Sequence, residues 1–73
     1  MTIESKFVVC IRSEDYPASL ECRKLYRLLP DPFAEAHGQV RIIDESGEDY
    51  LYPDELFAAV ALPARLTRLL DAA

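Results

Sequence analysis

The sequence has no tryptophan, a single histidine and only two glycines. The glycines are Gly38 and Gly47, and neither belongs to a glycine-rich run. Phosphate-binding loops need such a run, because the backbone must turn tightly and approach the phosphates closely. The scarcity of glycine therefore excludes most nucleotide-binding functions.

Cysteine is equally scarce, and Cys10 and Cys22 lack the spacing of a zinc site or of a disulfide framework. Cys10 lies in an apolar run, which predicts a buried and inert thiol. Cys22 precedes Arg23 and Lys24, which would favour its reactive thiolate form if the side chain is exposed. A redox role for Cys22 and a Cys10–Cys22 bridge are the alternatives.

No apolar run approaches the length of a membrane span, and residues 1–6 lack the pattern of a secretory signal. With two reduced thiols, this favours a cytoplasmic protein. We expect no cofactor and no metal.

The net charge is −5, from 13 acidic and 8 basic residues. Nucleic-acid and anionic-membrane binders usually have the opposite sign, because cations neutralise the phosphates. The alternative is a small regulatory protein that contacts nucleic acid through a local basic patch. Its candidate residues are Arg23, Lys24, Arg27 and Arg41.

Strand and turn signals dominate the first half of the chain. Residues 6–12 are rich in β-branched and aromatic side chains and predict a strand, and residues 13–17 predict a turn. Residues 18–29 have the composition of a helix, yet the alternation from Lys24 to Leu29 also suits a strand. We favour a loop around Leu20 followed by that strand.

The second half begins with a single helical turn over residues 32–36, which Asp31 caps and Gly38 follows. Residues 53–56 predict a one-turn connector and residues 57–62 a short strand. Residues 63–72 predict an amphipathic helix that Pro63 opens, with Leu62, Leu66, Leu69 and Leu70 on one face.

Between these elements, residues 39–44 and 48–52 predict a hairpin. Asp44 suits the first position of a type I turn and Gly47 the fourth. A three-residue loop would pair Ile42 with Tyr50 and place Val40, Ile42, Tyr50 and Tyr52 on one face. A two-residue loop would instead pair Ile43 with Tyr50. We favour the first register, because it gathers the larger apolar cluster.

This order of elements, with the run from Asp44 to Pro53 and a connector before Phe57, resembles the Src-homology-3-like small β-barrels, particularly small bacterial domains of uncharacterised role. The resemblance implies a mainly β, partly open barrel of about five strands with a short C-terminal helix. We expect one domain over residues 1–73, with the barrel at about 6–62 and the helix at about 63–72. A monomer and a homodimer are both compatible with this size.

The resemblance does not extend to binding proline-rich peptides, because the aromatic groove of those signalling domains includes a tryptophan. The remaining aromatic residues are nevertheless many for a small domain, and tyrosine is a favoured interface anchor. The alternative is that their rings complete the core and their hydroxyls reach water. We expect a non-enzymatic protein-interaction or accessory module, with Tyr16, Tyr52 and Pro53 as candidate binding residues where the first loop approaches the hairpin.

Two further groups could indicate chemistry. Acidic residues concentrate around the hairpin, at Asp44, Glu45, Glu48, Asp49, Asp54 and Glu55. A hairpin turn separates carboxylates that a calcium loop would bring together, so we interpret them as solvated turn and edge charges. His37 is placed to contact the end carbonyls of the helical turn, and no oriented nucleophile accompanies it. We therefore predict neither catalytic nor metal-binding residues.

Overall fold

The computed structural model describes residues 7–72, which form one antiparallel sheet with two short helices. Its strands are β1 (Phe7–Cys10), β2 (Leu25–Leu29), β3 (Gln39–Ile43), β4 (Asp49–Pro53) and β5 (Phe57–Ala59). Within this part of the chain, the strand order is β4-β3-β2-β1-β5. The sheet does not close, so β4 and β5 are its edges. The prediction of a mainly β, partly open domain is confirmed, and the architecture is compatible with a Src-homology-3-like fold.

The helices are α1 (Pro32–Ala36), between β2 and β3, and α2 (Ala64–Ala72), after β5. A 3₁₀ turn over Asp54–Leu56 joins β4 to β5 and is the one-turn connector that the sequence predicts. None of the helices within residues 7–72 has the length and apolar character needed to cross a bilayer.

The core covers one face of the curved sheet, because alternate residues of each strand point to the same side. Val8, Val40 and Ile42 are almost completely buried at its centre. The packed cluster contains Val8, Cys10, Leu20, Tyr26, Leu28, Val40, Ile42, Tyr52, Leu56 and Phe57. Removing these side chains from water is the main term that stabilises the fold.

The hairpin has the three-residue loop that the sequence favours. The Gly47 N–H donates to the Asp44 carbonyl at 3.0 Å, and the Asp44 N–H donates to the Glu48 carbonyl at 3.1 Å. Gly47 has a φ of +84°, which closes the turn in the left-handed region. Ile42 pairs with Tyr50. The predicted register is confirmed.

The ambiguous segment also takes the favoured conformation. Residues 11–24, called the first loop below, contain no helix, and β2 begins at Leu25. The Tyr16 carbonyl accepts from the N–H groups of Ser19 and Leu20, at 3.1 and 2.9 Å, and this local turn directs Leu20 into the core. Burial of Leu20 thus outweighs the helix propensity of the segment.

The start of α1 agrees with the sequence signals. An Asp31 carboxylate oxygen accepts from the Ala34 N–H at 3.1 Å, and Pro32 occupies the first turn. Gly38 follows with a φ of +75°. The predicted cap and bounds are confirmed.

β2 and β3 are each one residue shorter than predicted, and the first and last strands end two or more residues early. β1 ends at Cys10 rather than at residue 12, and position 6 of the prediction lies outside the described residues. β5 ends at Ala59 rather than at residue 62, with Ala59 paired to Val8 of β1. α2 begins at Ala64, with the Pro63 carbonyl accepting from the Leu66 N–H at 2.9 Å.

We predict that Gly47→Ala lowers the free energy of unfolding by about 1 kcal/mol, because a side chain disfavours the left-handed backbone. A Cβ at this position would meet no atom within 4 Å, so the backbone supplies the whole cost. Gly47→Asn is the matched control and should cost less, since asparagine tolerates this conformation. Urea unfolding at neutral pH measures both, and equal midpoints for the two variants would contradict the prediction.

Candidate functional site

A shallow groove of about 380 Å³ lies between the first loop and the β3–β4 hairpin. Tyrosine, serine and one carboxylate supply most of its wall. The lining residues are Tyr16, Ser19, Asp44, Ser46, Tyr50, Leu51 and Tyr52. We refer to this feature as the tyrosine groove.

Aromatic packing fixes one wall of the tyrosine groove. The rings of Tyr16 and Tyr52 meet edge to face, with centroids 5.1 Å apart and planes at 87°. The Tyr52 ring continues inwards to Phe57 at 6.2 Å, and Phe57 to Tyr26 at 6.4 Å. These edge-to-face contacts are favourable beyond their buried area. The groove wall is therefore an extension of the core.

Asp44 is the buried polar residue of the groove, with 6% of its surface exposed. Its Oδ2 accepts the Tyr52 hydroxyl at 2.5 Å. Its Oδ1 accepts both the Ser46 N–H, at 2.9 Å, and the Ser46 hydroxyl, at 2.5 Å. Three donors thus replace the water that the carboxylate loses on burial.

These hydrogen bonds decide the ionisation of the groove. Burial acts to raise the pKa of Asp44, but the donors from Ser46 and Tyr52 outweigh it and hold the pKa below its usual value. Burial and the hydrogen bond to Asp44 raise the pKa of Tyr52 to about 12. At neutral pH the groove therefore contains a carboxylate anion beside a neutral phenol.

Glu45, the residue after Asp44, belongs to a second tyrosine–carboxylate pair. The Tyr26 hydroxyl donates to Glu45 Oε2 at 2.6 Å and accepts from the Glu21 N–H at 2.7 Å. The Lys24 ammonium lies 2.7 Å from the same Glu45 oxygen. The Glu45 N–H donates to the Ser19 carbonyl at 3.0 Å. The hairpin turn is thereby bound to the first loop.

Asp44 differs from the other paired acids in having no cation. Within residues 7–72, five carboxylates form salt bridges: Glu14 with Arg12, Glu45 with Lys24, Asp71 with Arg27, and both Asp31 and Asp49 with Arg41. Asp44 is more buried than any of these, yet only hydroxyl and N–H groups stabilise its charge. The groove therefore has a negative charge that no described cation neutralises.

The structure brings two of the three predicted binding residues together. Tyr16 and Tyr52 line the groove and are in contact, whereas Pro53 does not line it. Sequence reasoning did not select Ser19, Ser46 or Tyr50. For Tyr50 a signal was present, because the register places it on the same face as Tyr52.

The interpretation of Asp44 as a solvated turn charge is wrong. The signal that reveals its burial is parity, because residues 40, 42 and 44 of an extended strand point to the same side. Val40 and Ile42 define the core face, so Asp44 continues it inwards. Its neighbour Glu45 lies in the turn, beyond this alternation, and is exposed.

Tyr26 and Tyr52 correct another expectation. The alternative that the tyrosine rings complete the core is confirmed for both, but their hydroxyls bond to carboxylates rather than reach water. Tyr50 is 49% exposed and its hydroxyl donates to Glu48 at 2.9 Å.

The remaining candidates lie outside the groove. His37 Nδ1 is 2.8 Å from the Phe33 carbonyl oxygen at the end of α1, as predicted. Cys10 is buried, which raises its pKa, Cys22 is exposed, and both are free thiols. Within the described chain, no three His, Cys, Asp or Glu side chains converge as metal ligands.

Comparison with known proteins finds no family model that matches the chain, and neither a curated protein nor a solved structure that is significantly similar to it. The fold and the groove geometry therefore provide the argument for function.

We predict that Tyr52→Phe lowers the free energy of unfolding by about 2 kcal/mol, because the buried Asp44 charge loses a hydroxyl donor. Tyr50→Phe is the matched control, since it removes a hydroxyl from an exposed pair and should change stability by less than about 0.5 kcal/mol. Denaturant unfolding of both variants tests the difference. If Tyr52→Phe lowered the free energy of unfolding by no more than Tyr50→Phe does, the prediction that the Tyr52–Asp44 hydrogen bond stabilises the fold would be wrong.

We also predict a pH dependence for Asp44. Its folded-state pKa lies below the ordinary value of 3.8, so the unfolded chain takes up the proton first as the pH falls. The stability that Asp44 provides is therefore present above that value and is lost as the pH falls through the folded-state pKa. We expect the gap in unfolding free energy between wild type and Asp44→Asn to shrink below about pH 4.

Glu14, Asp31 and Glu45 also have lowered pKa values and contribute to the pH dependence of stability. Their contributions are the same in the wild type and in Asp44→Asn, so they cancel in the difference between the two. Thermal unfolding from pH 7 downwards measures the gap. A gap that stays constant to the acid limit would contradict the assignment.

Proposed function

We propose that the chain is a Src-homology-3-like, non-enzymatic protein-interaction module whose tyrosine groove receives a basic side chain of a partner protein. The observation that supports this most directly is the buried charge of Asp44, which lacks a cation within residues 7–72. A carboxylate accepts about four hydrogen bonds, and Asp44 receives three. The fourth position, on Oδ2, suits a guanidinium or ammonium donor.

The tyrosines of the groove add to this preference. Tyr16 and Tyr50 line the same groove as the carboxylate and offer aromatic surface, and a cation over such a ring gains about 0.5–2 kcal/mol. Leu51, which is partly exposed at the same site, offers an apolar contact. The partner segment we propose therefore has a basic residue beside an apolar one.

The ionisation of the groove supports binding rather than catalysis. A carboxylate with a lowered pKa is a weak general base, and the Tyr52 phenol, with a pKa of about 12, keeps its proton at neutral pH. His37, the other candidate base, is occupied at the end of α1. A bacterial, cytoplasmic setting belongs to the same proposal, and the free thiols are in keeping with it.

We propose a protein rather than a nucleic acid as the partner. Of the four basic candidates, Lys24, Arg27 and Arg41 already pair with carboxylates, which leaves Arg23. Binding to phosphates through Lys24, Arg27 or Arg41 would have to break these pairs. Salt-dependent binding of a DNA or RNA oligonucleotide would reopen this alternative.

We predict that the groove distinguishes a cation from its neutral isostere. The probes are blocked leucine-rich hexapeptides with one central arginine, lysine, citrulline or glutamate. We expect the arginine peptide to bind at least about tenfold more tightly than the citrulline peptide, which corresponds to about 1.4 kcal/mol. Isothermal titration measures the affinity, and NMR shifts should map the contact to Tyr16 and Tyr50.

Three variants locate the interaction. Asp44→Asn keeps the shape of the side chain and removes its charge, so it should abolish the preference for arginine over citrulline. Tyr50→Ala removes an exposed ring and should weaken binding of the arginine peptide. Phe33→Ala is the control, because Phe33 is 78% exposed on α1 and does not line the groove. Equal affinity for arginine and citrulline in the wild type would refute the proposed function.

A further inference from the structure

The outer side of α2 is apolar, basic and exposed. Leu66 and Leu69 are 36% and 67% exposed, while Thr67 and Leu70 are partly buried. A surface depression of about 610 Å³ runs along this side and is lined by Pro63, Arg65, Leu66, Arg68 and Leu69. The helix thus turns two leucines and two arginines away from its own sheet.

Within the described residues, no carboxylate pairs with the arginines of this surface. Arg12, Lys24, Arg27 and Arg41 form salt bridges within residues 7–72, whereas Arg23, Arg65 and Arg68 do not. The molecule therefore has an unneutralised basic and apolar surface on α2. It also has an unneutralised carboxylate beside tyrosines and a leucine in the tyrosine groove. The two surfaces are complementary in charge and in polarity.

We infer that the tyrosine groove receives α2 of a second copy of this chain, with Arg65 or Arg68 directed at Asp44 and Leu69 packed against Tyr50 and Leu51. This inference rests on the proposed function, because it names the partner of the same groove. A reciprocal exchange would place two such contacts about a two-fold axis, as in most homodimers.

The attachment of α2 explains why the occupant comes from another copy. Arg27 of β2 donates to the Leu70 carbonyl at 3.4 Å and forms a salt bridge with Asp71 at 3.0 Å. Arg27 lies between Tyr26 and Leu28, which both belong to the core, so it lies on the opposite face of the sheet from the core. The helix is thereby held on that outer face, whereas Asp44 continues the core face of β3.

Sedimentation equilibrium of the full chain tests the inference across micromolar to millimolar concentrations. We expect the wild type to self-associate. Its association should weaken as the salt concentration is raised, because salt screens exposed charges. The helix variant Arg65→Glu with Arg68→Glu and the groove variant Tyr50→Ala should each weaken association by at least about tenfold. Phe33→Ala is the control and should associate as the wild type does. Circular dichroism confirms that each variant is folded.

Mixing the two impaired variants gives the sharper result. The helix variant retains an intact groove and the groove variant an intact α2, so a mixture should form a heterocomplex that neither forms alone. A dimer or a longer assembly that requires both surfaces supports the inference. A wild type that stays monomeric overturns it, as does association that is indifferent to Tyr50→Ala or a mixture that does not complement.

The peptide titrations separate this inference from the proposed function. A monomeric wild type that still prefers arginine to citrulline would refute self-association and leave the groove as a site for another protein. A wild type without either property would refute both.

Discussion

The hydrogen bond from the Tyr52 hydroxyl to the buried Asp44 carboxylate is the contact on which the rest of this structure depends. It connects the hairpin turn, where Asp44 also accepts from Ser46, to the aromatic packing of the core. The Tyr52 ring in turn holds Tyr16 and so positions the first loop. A buried ionised group is costly unless donors satisfy it, and here those donors come from the elements that must meet for the sheet to form.

The same contact joins stability to binding. The charge that we propose as the recognition element is fixed by the groups that close the core, so the groove is preorganised and little ordering is required when a partner binds. Binding residues in the wall and packing residues in the core are partly the same side chains. Changes that alter recognition at Asp44 or Tyr52 therefore also alter the fold, whereas changes at the exposed Tyr50 do not share that constraint.

The sequence predicted the elements well where local chemistry decides. Gly47 requires a left-handed turn, Asp31 caps α1, and alternation in the hairpin sets the register, so these features followed from nearby residues. The lengths of β1 and β5 did not follow, because pairing partners distant in sequence determine them. The tyrosine groove was only partly predictable. Tyr16 and Tyr52 were found, but Ser19 meets the hairpin through a backbone contact with Glu45 that no sequence pattern encodes.

The position of β1 in the sheet also affects how the chain is made. β1 lies between β2 and β5, and its residues 8–10 pair with residues 57–59. During synthesis one edge of β1 therefore stays open until β5 has been made and has left the ribosome, which takes about 3–15 seconds at roughly 5–20 residues per second. Local hairpins can form earlier, but the sheet cannot be completed. We expect the sheet to be completed only once residues 57–59 are available, with the unpaired backbone N–H and C=O groups along that edge of β1 exposed in the interval.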